Sequence, residues 1–224
     1  GSPLPRVPGG WRAGELAVRL LGPLHRVGIR VADWDPVYVD LRISGGECLV
    51  QSPFAALPHE PLMQARFTRL VNPGDTVFDV GVSFGYHSML FSRLAGPTGE
   101  VKSFEPNAAL YPCLQSTLAQ RPNVTLHRVA LGDDTGTISL FVPADSSMAS
   151  VLDWTGEPTR EIVCDQRRLD DLLLDGTLPR PDVLKVDVEG AEARVFAGAR
   201  GMLDADDAPI VVFEELAVPA RYAG

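Results

Sequence analysis

The spacing of apolar residues along this chain switches repeatedly between the pattern of a buried strand and that of a helix. Thr76 to Val80 is a short β-branched and aromatic run, which predicts a buried strand. A glycine-bearing turn follows, and apolar residues then recur at helical spacing from Tyr86 to Ala95. A strand, a turn and a helix in this order are typical of the first unit of an α/β sheet.

The same alternation continues through most of the chain. The further predicted strands are Val101 to Phe104, Val124 to Leu131, Glu161 to Cys164, Val183 to Val188 and Ile210 to Phe213, with Thr137 to Val142 as an antiparallel addition. The further predicted helices are Pro61 to Val71, Ala108 to Gln120, Leu169 to Leu174 and Ala191 to Met202. Because strands that alternate with helices form parallel sheets with right-handed crossovers, we expect a doubly wound, mostly parallel, Rossmann-like α/β sheet.

One long segment between these elements shows neither pattern. Residues Pro143 to Pro158 are rich in Asp, Ser, Gly and Pro, which predicts a loop, and loops of this length are often lids over functional sites. Within it, Ser146, Ser147, Met148 and Trp154 are candidate substrate contacts.

The first part of the chain reads as an appendage to this sheet. Residues 1–58 begin with a proline- and glycine-rich stretch, followed by a predicted helix from Trp11 to Leu21. Val37 to Ile43 alternates apolar and polar residues, and Glu47 to Gln51 is its predicted hairpin partner. We therefore divide the chain into an appendage, 1–58, and a core, 59–224. The sequence leaves two roles open for the appendage: covering the site or mediating a homodimer.

Composition narrows the choice of partners. The hydrophobic fraction of 45% and the charged fraction of 22% are ordinary for a globular protein. No membrane-spanning run or signal peptide is visible, so we expect a cytoplasmic protein. The net charge of −9 argues against a nucleic-acid partner, since such sites need clustered basic residues. The spacings of the three cysteines and four histidines predict no metal site.

Acidic residues lie at the carboxyl ends of four of the predicted parallel strands, where ligands bind in open α/β sheets. These residues are Asp79, Glu105, the pair Asp187 and Glu189, and the pair Glu214 and Glu215. The first loop carries Gly81 and Gly85, a Gly-x-x-x-Gly pattern instead of the nicotinamide fingerprint Gly-x-Gly-x-x-Gly. Glu105 ends the next strand, the position of an acid that accepts hydrogen bonds from ribose hydroxyls. We therefore expect a nucleoside to bind across the first two strands.

Six sequence pieces together resemble a known family. They are Asp-Val-Gly-x-x-x-Gly-Tyr-x-Ser from Asp79, Phe-Glu-Pro-Asn from Phe104, Val-Ala-Leu-Gly-Asp from Val129, Arg-Arg-Leu-Asp-Asp-Leu-Leu from Arg167, Leu-Lys-Val-Asp-Val-Glu-Gly-Ala-Glu from Leu184 and Ile-Val-Val-Phe-Glu from Ile210. The chain from about Glu60 to Glu215 is similar to FkbM-type S-adenosylmethionine-dependent methyltransferases. The resemblance implies a class I methyltransferase fold, S-adenosyl-L-methionine as cofactor, and O-methylation of a hydroxyl on a small natural product or sugar.

The resemblance also implies a set of cofactor contacts. Asp79, Gly81 and Gly85 would hold the methionine part, and Glu105 would bind both ribose hydroxyls. Asp187 would face the sulfonium and the methyl group. The remaining implied contacts are Asn107 to the adenosine, Ala130 and Leu131 in the adenine pocket, Asp133 near the adenine amino group, Glu60 to cofactor or substrate, and Ser83, Ser88 and Pro106 in the same set.

Several residues are candidates for the catalytic base that an alcohol acceptor needs. We assign Asp187 to the cofactor side and Glu189 to substrate orientation or base catalysis. The alternative for Glu189 is a charge at the N-terminus of the following helix. His87 has an ordinary pKa near neutrality and is a second candidate base, with packing as its alternative role. Glu214 is a third candidate.

Two departures from the family pattern leave another function open. Val82 and Ser83 stand where the family usually has Ala-Asn, which removes an amide side chain from the first loop. The family usually continues with a helix and two antiparallel strands, whereas this sequence ends soon after Glu215. The alternative hypothesis is therefore a catalytically inactive, nucleotide-binding scaffold of the same fold.

Overall fold

A computed structural model of the chain describes residues 26–30, 35–43, 60–143, 149–153 and 158–214. Its strands are β1 (Arg26–Ile29), β2 (Val37–Asp40), β3 (Thr76–Val80), β4 (Glu100–Phe104), β5 (Val124–His127), β6 (Ala130–Leu131), β7 (Gly136–Val142), β8 (Arg160–Arg167), β9 (Val183–Val186) and β10 (Ile210–Phe213). Its α-helices are α1 (Glu60–Leu70), α2 (Tyr86–Ala95), α3 (Tyr111–Leu118), α4 (Leu169–Leu174), α5 (Glu192–Gly198) and α6 (Arg200–Leu203).

Five parallel strands form the main sheet, in the order β10-β9-β3-β4-β5. From β3 the chain moves outward through β4 to β5, and it then crosses back to build β9 and β10 on the other side of β3. The strand order therefore reverses between β3 and β9, which defines the topological switch point of a doubly wound sheet. This architecture confirms the predicted fold class.

Two hydrophobic clusters cover the two faces of this sheet. On one face Val77, Val101 and Val183 pack against residues of α1, α2 and α3, including the fully buried Phe67 and Phe91. On the other face strand residues pack against α4, α5 and α6; this cluster includes Phe78, Val80, Phe104, Leu184, Val186, Leu169, Val195 and Met202. Each buried Phe or Leu side chain contributes roughly 1.5–3 kcal/mol, so both faces stabilise the sheet that positions the site.

The predicted strand from Val124 to Leu131 is wrong as a single element. It divides into β5 of the main sheet and the two-residue β6, which pairs in parallel with the end of β8. β7 and β8 pair antiparallel from Gly136 opposite Gln166 to Val142 opposite Arg160, as predicted for this segment, but with β6 they form a separate three-stranded sheet instead of an addition to the main sheet. β8 is longer than predicted because it pairs with β7 along the whole of that strand.

The single helix predicted from Ala191 to Met202 is interrupted at Ala199, between α5 and α6. The glycine before the interruption allows a close backbone contact: a Cβ atom on Gly198 would lie 1.8 Å from the carbonyl oxygen of Gly132. The longest helix in the described part of the chain, α1, has 11 residues, and none of those helices is long and apolar enough to span a bilayer.

The described part of residues 1–58 packs against the core. Val37–Asp40 is a strand as predicted, but among the described residues its antiparallel partner is Arg26–Ile29. Val37 and Val39 are fully buried in the first cluster, and the amide of Tyr38 donates to the hydroxyl of Thr117 in α3 over 2.9 Å. The predicted elements at 11–21 and 47–51 lie outside the described residues, and the division at residue 58 stays a prediction.

The contact between Gly198 and Gly132 generates a stability prediction. We expect Gly198→Ala to lower the free energy of unfolding by at least about 2 kcal/mol, because backbone must move to admit the new methyl group. Urea denaturation measures the change. Gly201→Ala is the matched control, since its methyl group would meet a side chain, the carboxylate of Asp170 at 3.2 Å, and not the backbone. Equal stability of the two variants would contradict the packing that we describe.

Candidate active site

The residues that follow β3, β4, β9 and β10 form one continuous edge, which we call the strand-end rim. Backbone amides join neighbouring strand ends across it. These bonds run from Gly81 to the carbonyl of Phe104 (3.1 Å), from Glu105 to that of His127 (3.0 Å), from Asp187 to that of Val80 (3.0 Å) and from Glu214 to that of Val186 (3.2 Å). Glu105, Asp187 and Glu214 therefore lie along one edge of the sheet.

Lys185 lies beneath this rim at the switch point, and the sequence interpretation assigned no role to it. Its side chain is 6% exposed. The ammonium nitrogen lies 2.8 Å from the carbonyl oxygen of Gly81, 3.2 Å from Oδ1 of Asp79 and 3.3 Å from Oδ2 of Asp187. The signal that could have identified it is a charged residue within an otherwise apolar, fully buried strand.

Two predicted cofactor contacts are fully buried beneath the rim. Asp79 and Ser88 are both 0% exposed. The Ser88 hydroxyl donates to Oδ2 of Asp79 over 2.6 Å and lies 2.8 Å from the Ser103 hydroxyl. In this arrangement neither side chain presents surface to a ligand, and their direct contact with a cofactor stays a prediction.

Asp187 is the acid of this network that reaches the surface, since its side chain is 29% exposed. Burial alone would raise the pKa of Asp187, but the nearby Lys185 and His87 outweigh that effect and hold its pKa below the ordinary value. The Glu214 carboxyl group also hydrogen-bonds to Asp187. Asp187 therefore presents a stable negative charge at the rim.

Glu189 differs from Asp187 in its charge. Burial, followed by the negative charges of Asp187, Glu214 and Glu192, raises the pKa of Glu189 to about 7. The backbone of Glu189 has a φ of 55°, a left-handed conformation that is costly for a side-chain-bearing residue. A carboxyl group that gains and loses a proton near neutral pH suits general base catalysis.

Glu192 holds this loop in place. Its Oε1 accepts hydrogen bonds from the amides of Val188 and Gly190, over 3.0 and 3.2 Å, and the residue is 8% exposed. The bonds satisfy amides on either side of Glu189. Three acids thus follow Lys185 in this sequence element. Asp187 reaches the surface at the rim, Glu189 has a pKa of about 7, and Glu192 fixes the loop.

Glu105 bridges the ends of β3 and β4. Its Oε2 accepts from the amide of Ser83 over 3.0 Å, and its Oε1 accepts from the amide of Asn107 over 2.8 Å. Burial raises the pKa of Glu105 to about 7, although these two amides and Lys185 act in the opposite direction. The carboxylate is oriented by backbone on both sides, as a ribose-binding acid requires.

The loop between β3 and α2 depends on unusual backbone conformations. Gly81 and Gly85 have φ values of 81° and 88°, and Ser83 has a φ of 52°. A Cβ atom on Gly81 would lie 1.7 Å from the carbonyl oxygen of Asp187, so only glycine allows the two strand ends to approach. The conformation of Ser83 directs its amide towards Glu105.

Two buried polar atoms beside Glu105 fit a nucleoside ligand. Asn107 is 0% exposed; its Oδ1 accepts from the amide of Ala109, whereas its Nδ2 has no hydrogen-bond partner among the described residues. The same holds within that part of the chain for Nε2 of His127, a residue that the sequence interpretation missed. Since buried polar groups are normally hydrogen-bonded, these atoms are consistent with adenosine in this position.

His87 lies beside Asp187 but also packs among aromatic rings. Its ring centroid is 5.5 Å from that of Phe67 and 6.1 Å from that of Phe91. Both roles proposed for it, base and packing residue, are therefore compatible with its position.

The predicted adenine-pocket residues Ala130 and Leu131 form β6, and Leu131 belongs to the second hydrophobic cluster. Their contact with a cofactor stays a prediction. Asp133 is exposed on the surface. The side chain of Glu60 and the proposed contacts at 146–148 and 154 lie outside the described residues.

A doubly wound parallel sheet with acids at its switch point defines a Rossmann-like α/β fold, in which ligands bind in the crevice at that point. A profile of the methyltransferase FkbM domain matches residues 79–223. Because that match covers more than half of the chain, the chain belongs to the FkbM-domain methyltransferase family. The match confirms the resemblance seen in the sequence.

The sequence identity between this chain and individual relatives is low. The chain is 30% identical to the hexuronic acid methyltransferase AglP of Haloferax volcanii, across 61% of this chain and 55% of that protein. It is 29% identical to the 31-O-demethyl-FK506 methyltransferase FkbM of Streptomyces tacrolimicus, across 61% of this chain and 62% of that protein. The chain thus spans less than two thirds of either relative. A crystal structure of methyltransferase FkbM from Methylobacillus flagellatus matches with a TM-score of 0.45 and 18% identity, across 77% of this chain and 48% of that chain.

The raised pKa of Glu105 predicts a pH dependence of stability. In the folded protein this group holds its proton up to about pH 7, whereas in the unfolded chain it loses it near 4.5. Its contribution is therefore fully present below pH 4.5 and is lost as the pH rises through 7. We expect Glu105→Gln to reduce the loss of stability between pH 5 and pH 8 by roughly 1–3 kcal/mol.

Urea denaturation at both pH values measures this effect. The readout is the difference in the free energy of unfolding between pH 5 and pH 8. The Gln amide nitrogen faces a backbone N–H at either pH, so the cost of that contact cancels in the difference. Glu161→Gln, on an exposed position of β8, serves as the control. An unchanged pH dependence in Glu105→Gln would contradict the proposed burial of this charge.

Proposed function

We propose that this protein is an S-adenosylmethionine-dependent methyltransferase that methylates a hydroxyl group of a small molecule. The observation that carries the proposal is the arrangement of Glu105 at the rim. Its carboxylate is oriented by the backbone amides of Ser83 and Asn107, and the side-chain nitrogen of Asn107 has no hydrogen-bond partner within the described part of the chain. Asp187 lies across the switch point. Membership of the FkbM-domain family supports the same activity.

The described residues would hold the cofactor in two parts. Glu105 and Asn107 would bind the adenosine, with the ribose hydroxyls donating to the carboxylate. Asp187 would face the positive sulfur, since its ionised side chain is the exposed acid of the network. When bound, S-adenosylmethionine supplies a methyl group that a positive sulfur already activates, so the protein's main task is to orient the acceptor and exclude water.

Glu189 is our proposed base for the acceptor hydroxyl. An alcohol becomes a competent nucleophile as its proton leaves, and a positioned base accelerates such a step roughly 10²–10⁴-fold. Glu189 is half-buried, lies two residues after Asp187 and has a pKa of about 7. At neutral pH a fraction of it is therefore free to accept a proton, whereas Asp187 stays ionised.

The acceptor class rests on the two relatives. One is named for a hexuronic acid and the other for the 31-O position of FK506. Both names describe small oxygen-rich molecules, which supports a hydroxyl on a sugar or natural product as the acceptor here. The inactive scaffold is the second candidate, and binding without turnover is the outcome that would favour it.

Cofactor binding is the first test. We expect calorimetry to detect S-adenosylmethionine binding, and Glu105→Ala to weaken it by roughly 1–3 kcal/mol because hydrogen bonds to a charged group are lost. Glu161→Ala should bind as the wild type does, since that side chain is exposed on β8. Equal affinity of the Glu105→Ala variant and the wild type would remove Glu105 from the site.

Turnover is the second test. A panel of small hydroxylated metabolites is incubated with protein and S-adenosylmethionine, and mass spectrometry detects the gain of a CH₂ unit, about 14 Da. With an acceptor in hand, we expect the wild-type rate to rise through about pH 7 as Glu189 loses its proton. Glu189→Gln should lower the rate about 10²-fold or more while cofactor affinity is retained. Full activity of this variant would exclude Glu189 as the base.

A further inference from the structure

Lysine is rare in this chain. Of its 20 basic Lys and Arg residues only Lys102 and Lys185 are lysines. Arginine is therefore the usual cation here, and a lysine at the switch point needs a reason of its own. The geometry supplies one: the compact ammonium group of Lys185 donates a hydrogen bond to the carbonyl of Gly81 and forms ion pairs with Asp79 and Asp187, at 3.2 and 3.3 Å. The planar, larger guanidinium group does not match this arrangement.

The three oxygens around the ammonium group belong to different parts of the site. Asp79 comes from β3, the carbonyl of Gly81 from the loop that follows it, and Asp187 from the end of β9. Asp79 is itself fixed by the Ser88 hydroxyl, so it forms a rigid base for the network. Asp187 is the member of the network that reaches the surface.

We propose that Lys185 is a positioning residue that keeps Asp187 ionised and fixed at the rim, where, on the function proposed above, Asp187 faces the methyl donor.

The charges around Asp187 make this role necessary. Burial acts to raise the pKa of Asp187, whereas Lys185, then His87 from α2, and a hydrogen bond with Glu214 after β10 lower it. Glu189 of the same loop and Glu192 of α5 are further acids in this part of the rim. Lys185 has the largest of the lowering effects, and a partly buried carboxyl group that loses such a partner takes up a proton more readily. The rim would then lose its stable negative charge.

The test compares Lys185→Met with Lys102→Met, the other lysine of the chain, which pairs with Glu100. Carboxyl ¹³C NMR follows the titration of Asp187, assigned with Asp187→Asn. We expect Asp187 to titrate below its ordinary value in the wild type and in Lys102→Met, and above that ordinary value in Lys185→Met. Lys185→Arg keeps the charge but not the compact shape of the ammonium group, so it should restore only part of the shift.

Calorimetry with S-adenosylmethionine gives a second readout. In phosphate and Tris buffers at pH 7, Lys185→Met should bind at least about tenfold more weakly than wild type. It should also release up to one more proton on binding, because Asp187 must ionise. Both differences should shrink as the pH is raised. If Lys185→Met does not fold, Lys185→Met/Asp79→Asn removes the uncompensated buried charge, and the same shifts are expected.

The outcomes are distinct. An unchanged Asp187 titration in a folded variant that lacks Lys185 would overturn the positioning role, whatever the ligand does. A wild-type protein that does not bind S-adenosylmethionine would instead overturn the proposed function, and the titration would still decide whether Lys185 sets the charge of Asp187.

Discussion

The site depends on the close approach of two strand ends that are far apart in sequence. β3 and β9 meet so closely that the Gly81 backbone leaves no room for a Cβ atom beside the carbonyl of Asp187. The ammonium group of Lys185 lies at this junction and contacts oxygens from both strands and from the loop. Packing brings the strands together, but bringing two carboxylates into a buried position requires a cation between them. The arrangement of the other rim residues follows from this contact.

Much of the fold could be predicted because local pattern and tertiary structure agree. The strands Thr76–Val80 and Ile210–Phe213 and the helix Tyr86–Ala95 match their predicted limits. The failures occur where long-range contacts decide. The chain leaves the main sheet after His127, and the helix breaks next to Gly198, where another backbone segment lies against it. Neither contact leaves a signal in the local spacing of apolar residues.

The sequence predicted where the site residues lie along the strands, but not how deeply each side chain is buried. Strand ends share an edge in any parallel sheet, so the alignment of Glu105 and Asp187 follows from topology. Whether an acid faces solvent or lies beneath the rim depends on packing, and Asp79 proves to be fully buried. The role of Lys185 was not predicted, because its contact with Gly81 joins residues 104 positions apart and sequence spacing carries no information on such a pair.

The left-handed residues Ser83 and Glu189 have a wider consequence. They are the non-glycine residues with positive φ in the described part of the chain, and they lie in the loops after β3 and β9. Such a conformation costs roughly 1–2 kcal/mol per residue, so neighbouring contacts must supply that energy. These two loop conformations therefore lower the stability of the folded protein while they set the geometry of the site. Replacement of either residue by glycine would relax the backbone there, and selection for ligand recognition would oppose such a replacement.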